Sequence, residues 1–256
     1  MDFSEDQLRR YARQIVMPEI GGIGQQKLMR AKVLVIGAGG LGSPLLLYLA
    51  AAGIGRIGIV DHDIVDVSNL HRQIIHSDAG AGEAKVMSAV ERLRGLNPDI
   101  DVVVHPVKID ASNAAFLISA YDLVADGTDN FATRDVVHEA CYRQGRTLVS
   151  AAIQGVDGQL STFKAHLGAP HPCYRCLFPQ APATDVIPTC AQGGVLGPAV
   201  GALGSMQAVE VIKEVLGIGE SLSGSLVLYD ALAAQLHRVR VARDPACPLC
   251  SQASAP

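Results

Sequence analysis

Gly37-Ala38-Gly39-Gly40-Leu41-Gly42 is the first stretch whose residue types and spacing could do chemistry. Glycines at Gly37, Gly39 and Gly42, with Gly40 between them, let a backbone turn tightly and bring its N–H groups against a phosphate. A helix starting there adds the positive end of its dipole. Asp61 follows about twenty residues on, the interval at which a strand-terminal carboxylate meets the ribose hydroxyls of a bound nucleotide. Ser68-Asn69-Leu70-His71-Arg72-Gln73 and then Lys85 supply donors and cations that a pyrophosphate cradled by a helix end does not need. That surplus of positive charge points to a triphosphate. Thr128-Asp129-Asn130 adds a carboxylate, Asp129, able to hold Mg2+ against phosphates. The competing use of this stretch is a helix N-cap, a duty that Asp126, Thr128 or Asn130 could serve.

Cysteine spacing gives the second constellation. Cys173-Tyr174-Arg175-Cys176 and Cys247-Pro248-Leu249-Cys250 are two C-x-x-C pairs, each presenting two thiolates from one tight turn, and together they offer the four soft ligands of a tetrahedral Zn2+. Disulfides are the rival use, but a cytoplasmic chain keeps its thiols reduced, and a redox motif needs only one pair. Four thiolates leave no open position, so such a zinc is structural. His171 is near enough to replace a cysteine, though a surface histidine is the plainer reading. Cys190 precedes an expected helix start that could lower its pKa, whereas Cys141, inside an apolar helix, reads as a small buried residue. Arg9, Arg10 and Arg13 recur at helical spacing and by themselves suggest a solvated face.

The elements needed to position these residues are legible around them. Val33-Leu34-Val35-Ile36 is a short β-branched run leading into the glycines, and Ser43-Pro44 opens an apolar helix from Leu45 to Ala52. Ile57-Gly58-Ile59-Val60 is a second strand ending at Asp61. Twenty-six glycines make a chance match to the turn pattern a real risk, and this strand–turn–helix–strand context is what lifts it above chance. Helices are predicted over Glu5–Val16, Gly24–Arg30, Glu83–Leu96, Ala114–Ala120, Thr133–Gln144 and Gly194–Leu216. Strands are predicted over Val102–Val104, Leu123–Ala125, Thr147–Val149 and Gln159–Phe163, with two more strand-like runs between Ser225 and Val241. The early β-α alternation implies a mainly parallel, Rossmann-like α/β sheet with helices on both faces, followed by a C-terminal antiparallel extension of different rhythm. Cys173 to Ala191 is Pro-rich and irregular. The chain divides into N-terminal helices (1–31), a nucleotide-binding region (32–157), a second region of the same domain (158–250) and a tail (251–256).

Length and composition bound the function. A chain of 256 residues, 49% hydrophobic and 18% charged, can bury a full core, and a net charge of −4 without a basic run argues against nucleic acid as a partner. The N-terminus has neither a basic region nor an apolar one that would mark a leader, and the apolar run Leu45–Ala52 is too short to cross a bilayer. The expectation is a soluble, cytoplasmic protein with no membrane partner.

Arg10-Tyr11-Ala12-Arg13-Gln14, the glycine turn, Asp61-His62-Asp63, Ser68 to Gln73, Lys85, Thr128-Asp129-Asn130 and both C-x-x-C pairs together resemble the MoeB/ThiF family of sulfur-carrier adenylyltransferases, relatives of the ubiquitin-activating enzymes. The resemblance runs from about Leu8 to Cys250. It implies that MgATP and the C-terminal Gly-Gly carboxylate of a small ubiquitin-like sulfur carrier react to give an acyl-adenylate and pyrophosphate. Residues 158–250 would carry the carrier-binding surface and the zinc knuckle. The resemblance further implies a homodimer, Gly40 at the nucleotide, Asp61 at the ribose, and Asn69, Arg72 and Lys85 on the phosphates. Asp129 would hold the magnesium and Arg13 would reach into the other subunit's site. Cys190 falls where some members carry a cysteine that bonds covalently to the carrier. The chain ends soon after Cys250, without the sulfurtransferase domain of longer members, so a separate sulfur donor is expected. An NAD-binding oxidoreductase and a non-catalytic interaction subunit are the alternatives; the first has no use for Arg72, Lys85 and the zinc knuckle.

Overall fold

The computed structural model describes residues 3–179 and 193–251. It opens with helix α1 (Glu5–Ile15), started by a reciprocal cap in which the Ser4 hydroxyl accepts the Gln7 N–H and the Gln7 side chain accepts the Ser4 N–H. Only Tyr11 of α1 is buried, its hydroxyl accepting a hydrogen bond of 2.9 Å from Asn97 Nδ2. Helix α2 (Gly21–Arg30) leads into strand β1 (Lys32–Ile36), helix α3 (Gly42–Ala52) and strand β2 (Arg56–Val60). Then come α4 (Lys85–Leu96), β3 (Asp101–His105), α5 (Ala114–Ser119), β4 (Leu123–Asp126), α6 (Phe131–Arg143) and the hairpin β5 (Thr147–Gln154) and β6 (Asp157–Phe163). A one-turn helix α7 (Tyr174–Leu177), the long helix α8 (Gly197–Leu216) and the hairpin β7 (Ser225–Asp230) and β8 (Gln235–Arg240) complete it.

One sheet joins all the strands in the order β3-β2-β1-β4-β5-β6-β7-β8. Its first five strands are parallel and the last three add on antiparallel. Strand β1 alternates Val33 and Val35 into one apolar cluster with α3, α4 and α8, and Leu34 and Ile36 into another with α5 and α6. Both faces of the strand are therefore covered, which is why it reads as an unbroken apolar run. The chain proceeds outward from β1 to β2 and β3, then crosses back to β4, so the sheet changes winding direction between β1 and β4. A crevice opens outside the carboxyl ends of strands at such a point.

Helix α8 ties the two halves together. Its Gln207 Nε2 donates to the Asp126 carbonyl at 2.8 Å and the Val149 carbonyl at 3.1 Å. A side chain at Gly204 would come within 2.5 Å of the Leu41 carbonyl oxygen, so the helix can lie on the glycine turn only because that position has none. No helix among the described residues is long and apolar enough to cross a membrane.

Element boundaries differ from expectation where tertiary pairing takes over. The helix expected from Glu83 begins at Lys85, because Glu83 and Ala84 are extended and bridge back to Ile64 and Val65. The strand expected to stop at Val149 runs on to Gln154 as one arm of a hairpin. The helix expected from Gly194 starts at Gly197, with Pro198 in its first turn and Val195 bridged to Gly155. The stretch expected to be irregular after Cys173 holds α7.

Candidate functional site

The crevice at the switch point is a cavity floored by Gly37, Gly39 and Gly40. Gly37 is in the left-handed region (φ +94°), and a Cβ on Gly42 would stand 1.9 Å from the Gly37 carbonyl oxygen, so the turn closes only with glycine there. The intervening peptide is clamped from two sides. Ala38 N–H donates to Asp61 Oδ2 at 2.8 Å, and the Ala38 carbonyl accepts from His76 Nε2 at 2.9 Å, while His76 Nδ1 faces Ser88 Oγ at 3.0 Å. Asp61 Oδ1 takes the Asp63 N–H at 2.9 Å, and each carboxylate oxygen has capacity for a further bond on the cavity side.

Two cations stand on one wall. Arg72 is held by Asn69, whose Oδ1 accepts from Nη2 at 2.6 Å, and by His71, whose Nε2 lies 2.8 Å from Nη1. Lys85, with only 7% of its side chain exposed, contacts Asp63 at 2.9 Å. Burial alone would raise the Asp63 carboxyl; the Lys85 hydrogen bond and the charges of Lys85 and His62 outweigh it and hold the group below the usual carboxylate range. Ile36, Val60 and Ile109 form an apolar wall of the cavity.

Of the residues singled out from sequence, Gly37, Gly39, Gly40, Asp61, Arg72, Gln73, Lys85, Thr128, Asp129 and Asn130 line this one cavity. Gly42, Ser68, Asn69, Leu70 and His71 do not line it. Asn69 and His71 act through Arg72, and Ser68 bonds Asp66 at the start of the short turn that carries Leu70. The cap of α6 falls to Asn130, whose Oδ1 accepts the Thr133 N–H at 2.9 Å. Asp126 is buried and accepts from Thr128 N–H and Ser150 Oγ, which leaves Asp129 exposed at the cavity mouth. Arg13 is exposed on α1 and does not line the cavity, and Cys190 lies outside the described residues.

Residues that sequence reasoning missed include Lys108 and Ile109, just past β3, and Arg134. The first two follow a strand's carboxyl end, a signal that could have found them. Arg134, near the start of α6, gives no signal at all. A second cavity adjoins the first and shares Asp129, Arg134 and Ile153 with it; strands β5 and β6 and the rings of Phe131 and Phe178 form its walls.

The sulfurs of Cys173, Cys176, Cys247 and Cys250 lie within 4.8 Å of one another. Separations of 3.4 Å (Cys173–Cys247), 3.5 Å (Cys176–Cys250) and 3.8 Å (Cys173–Cys176) suit a tetrahedron, since Zn–S bonds of about 2.3 Å imply sulfurs about 3.8 Å apart. They are too long for disulfides. N–H groups of Cys173 and Asp244 point at Cys176 Sγ, as they do toward a thiolate ligand. His171 bonds Ser223 Oγ instead of joining the cluster.

A family model described as the ThiF family matches residues 11–249. The chain belongs to the ThiF family. Within it, the chain is 46% identical over 252 residues to a sulfur carrier protein adenylyltransferase of Thermus thermophilus, covering 98% of this chain and 93% of that one. It is 48% identical over 250 residues to an adenylyltransferase and sulfurtransferase MOCS3 of Sus scrofa, covering 97% of this chain but 54%, about half, of that relative. Among solved structures, E. coli MccB with MccA-N7isoASN superposes with a TM-score of 0.82 at 21% identity, over 98% of this chain and 76% of the other. E. coli MccB with ATP superposes at 0.77 and 23% identity, over 88% and 68%. At those identities the likeness shows a shared fold.

Proposed function

We propose that this chain uses MgATP to adenylate the C-terminal carboxylate of a small ubiquitin-like sulfur carrier ending in Gly-Gly, releasing pyrophosphate. One observation carries the reading: the glycine turn, Asp61, Arg72, Lys85 and Asp129 surround a single cavity at the sheet's switch point, and a second cavity shares Asp129 and Arg134 with it. The names of the two relatives support the same chemistry.

A terminal carboxylate, with a pKa near ~3.5, is already ionised at neutral pH and needs no general base. Alignment and charge neutralisation are what remain. One carboxylate oxygen bonds to the α-phosphorus while the bond from that phosphorus to the bridging oxygen breaks, its electron pair leaving with pyrophosphate. Turn N–H groups and the start of α3 hold the phosphate chain, Arg72 and Lys85 offset the charge gathering on the leaving group, and Asp61 fixes the ribose. Asp129 would hold Mg2+, which supplies further neutralisation between the phosphates. Lys85 is parked on Asp63 in the free protein, so a phosphate competes with that carboxylate for it. The four cysteines would hold a structural Zn2+. Homodimerisation, with Arg13 of one subunit serving the site of its partner, belongs to the same reading, as does a role in molybdopterin or thiamine biosynthesis.

Carrier-dependent exchange of labelled pyrophosphate into ATP tests it. Exchange is expected with at least one carrier from a panel of molybdopterin-type, thiamine-type and tRNA-thiolation-type proteins. Asp129→Ala should lower it by about 100-fold or more with the fold intact by circular dichroism. Folded protein that exchanges with none of the three overturns the reading.

A further inference from the structure

At the junction of the two cavities lies a buried charged donor that meets no acceptor among the described residues, Arg134 Nε. Arg134 stands one turn into α6, is 8% exposed, and lines both cavities. Its Nη2 donates to the Thr128 carbonyl, and its guanidinium lies 5.7 Å from the centroid of the Phe131 ring. The Nε–H has no acceptor among the described residues. A charged donor kept from water without an acceptor is costly, and native folds tolerate it where a ligand completes it.

The plain alternative is that Arg134 serves only as the counter-ion of Asp126. Asp126 is wholly buried; burial pushes its carboxyl up and the Arg134 charge pulls it partly back. Yet that carboxylate takes its hydrogen bonds from Thr128 N–H at 2.9 Å and Ser150 Oγ at 3.2 Å. The field of Asp126 steadies the guanidinium without using its Nε–H. A buried cation with an unused donor, standing at the wall common to both cavities, describes an anion site.

The anion follows from position. Arg72 and Lys85 stand at the glycine turn, where the phosphates end, whereas Arg134 stands at the wall shared with the second cavity. An attacking carboxylate must enter from outside the nucleotide pocket, and the groove along β5 and β6 is the open approach. We propose that Arg134 receives the terminal carboxylate of the incoming chain, one oxygen on Nε–H, with the other turned toward the α-phosphorus. This rests on the adenylation reading. The turned oxygen bonds to phosphorus as pyrophosphate leaves with the electron pair, and no proton moves. A guanidinium, which does not titrate, suits a step that needs charge and a planar fork but no acid. Once the anhydride has formed, the held oxygen is a neutral carbonyl and the grip weakens.

The test compares two probes: a Gly-Gly-ended carrier that supports pyrophosphate exchange, and the same carrier ending in a carboxamide. Each is titrated onto protein holding an α,β-methylene ATP analogue. The native protein should prefer the carboxylate by about tenfold or more, and in Arg134→Gln the preference should fall to about twofold or less. An undiminished preference in the variant overturns the assignment. So does a matching loss of affinity for the ATP analogue in the absence of carrier, which would place Arg134 on the phosphates. Should the Gln variant fail to fold, Arg134→Lys is judged by the same preference. Native protein that neither exchanges pyrophosphate nor binds either probe overturns the adenylation reading and this one with it, a result distinct from an active enzyme whose variant still discriminates.

Discussion

Burial holds the His138 imidazole at about 4, well below its ordinary value, with its Nε2 accepting the Tyr174 N–H at 3.0 Å between the rings of Phe163 and Tyr174. Between that value and the unfolded one, near ~6.5, the unfolded chain binds a proton that the folded chain refuses, so stability falls as pH drops through this window. The full effect of this one group is about 3 kcal/mol. His76 and His105, lowered first of all by burial, add to it in the same direction. His138→Gln keeps an acceptor for the Tyr174 N–H and removes the titration; urea midpoints measured from about pH 7 to about pH 4.5 should fall less steeply in the variant than in the native protein. At this scale the glycine turn, Asp61, Arg72, Lys85 and Asp129 were legible because their chemistry depends on local spacing. Arg134 and His76 were not. An arginine in the first turn of a helix reads as solvent-facing, and only the crossover from β4 reveals which cavity it faces. The choice of Asn130 as the cap of α6 likewise depended on backbone geometry that four polar residues in a row leave open.

Residues after Phe163 leave the sheet and return to it, and the four-cysteine cluster pins that excursion. It joins α7 to the segment after β8, with Leu249 and Ala165 packed around the sulfurs. A bound Zn2+ would stabilise this join because its ligands are brought together only in the folded chain. Elemental analysis should find one zinc per folded chain. Cys247→Ser should lower both zinc content and melting temperature, while the affinity for an ATP analogue changes by about threefold or less, since the nucleotide cavity contains no part of the cluster. Strands and helices were read correctly wherever an apolar period ran its full length, as in β1 and α3. Their ends were misplaced where a neighbour decided them: Ala84 is drawn into a bridge with Ile64 while the Glu83 carbonyl accepts the Val65 N–H, and β5 runs past Val149 because β6 folds back along it. Pairing partners distant in sequence leave no mark on the local pattern.

At the scale of the whole molecule, the parallel half supplies the cavity at the glycine turn and the antiparallel half the groove beside it, so the proposed active site draws on both. Sequence alternation foretold the first half and only a change of rhythm foretold the second. Arg13 tests whether the site needs a second chain as well. It is exposed on α1 and does not line the cavity, and on the proposed reading it serves the site of a partner subunit. Arg13→Ala and Asp129→Ala proteins should each be nearly inactive. Mixed in equal amounts and allowed to exchange subunits, they should recover about a quarter of native activity, because half the dimers then hold one intact site of two. No recovery after verified exchange would remove Arg13 from the site. Gly204 leads to a different kind of consequence. It touches no substrate, yet any side chain there would strike the Leu41 carbonyl and lift α8 from the turn. Ranked by tolerance to replacement, this silent position on a distant helix belongs beside the residues proposed to meet the nucleotide, and a map of intolerant sites would draw the active site larger than its chemistry.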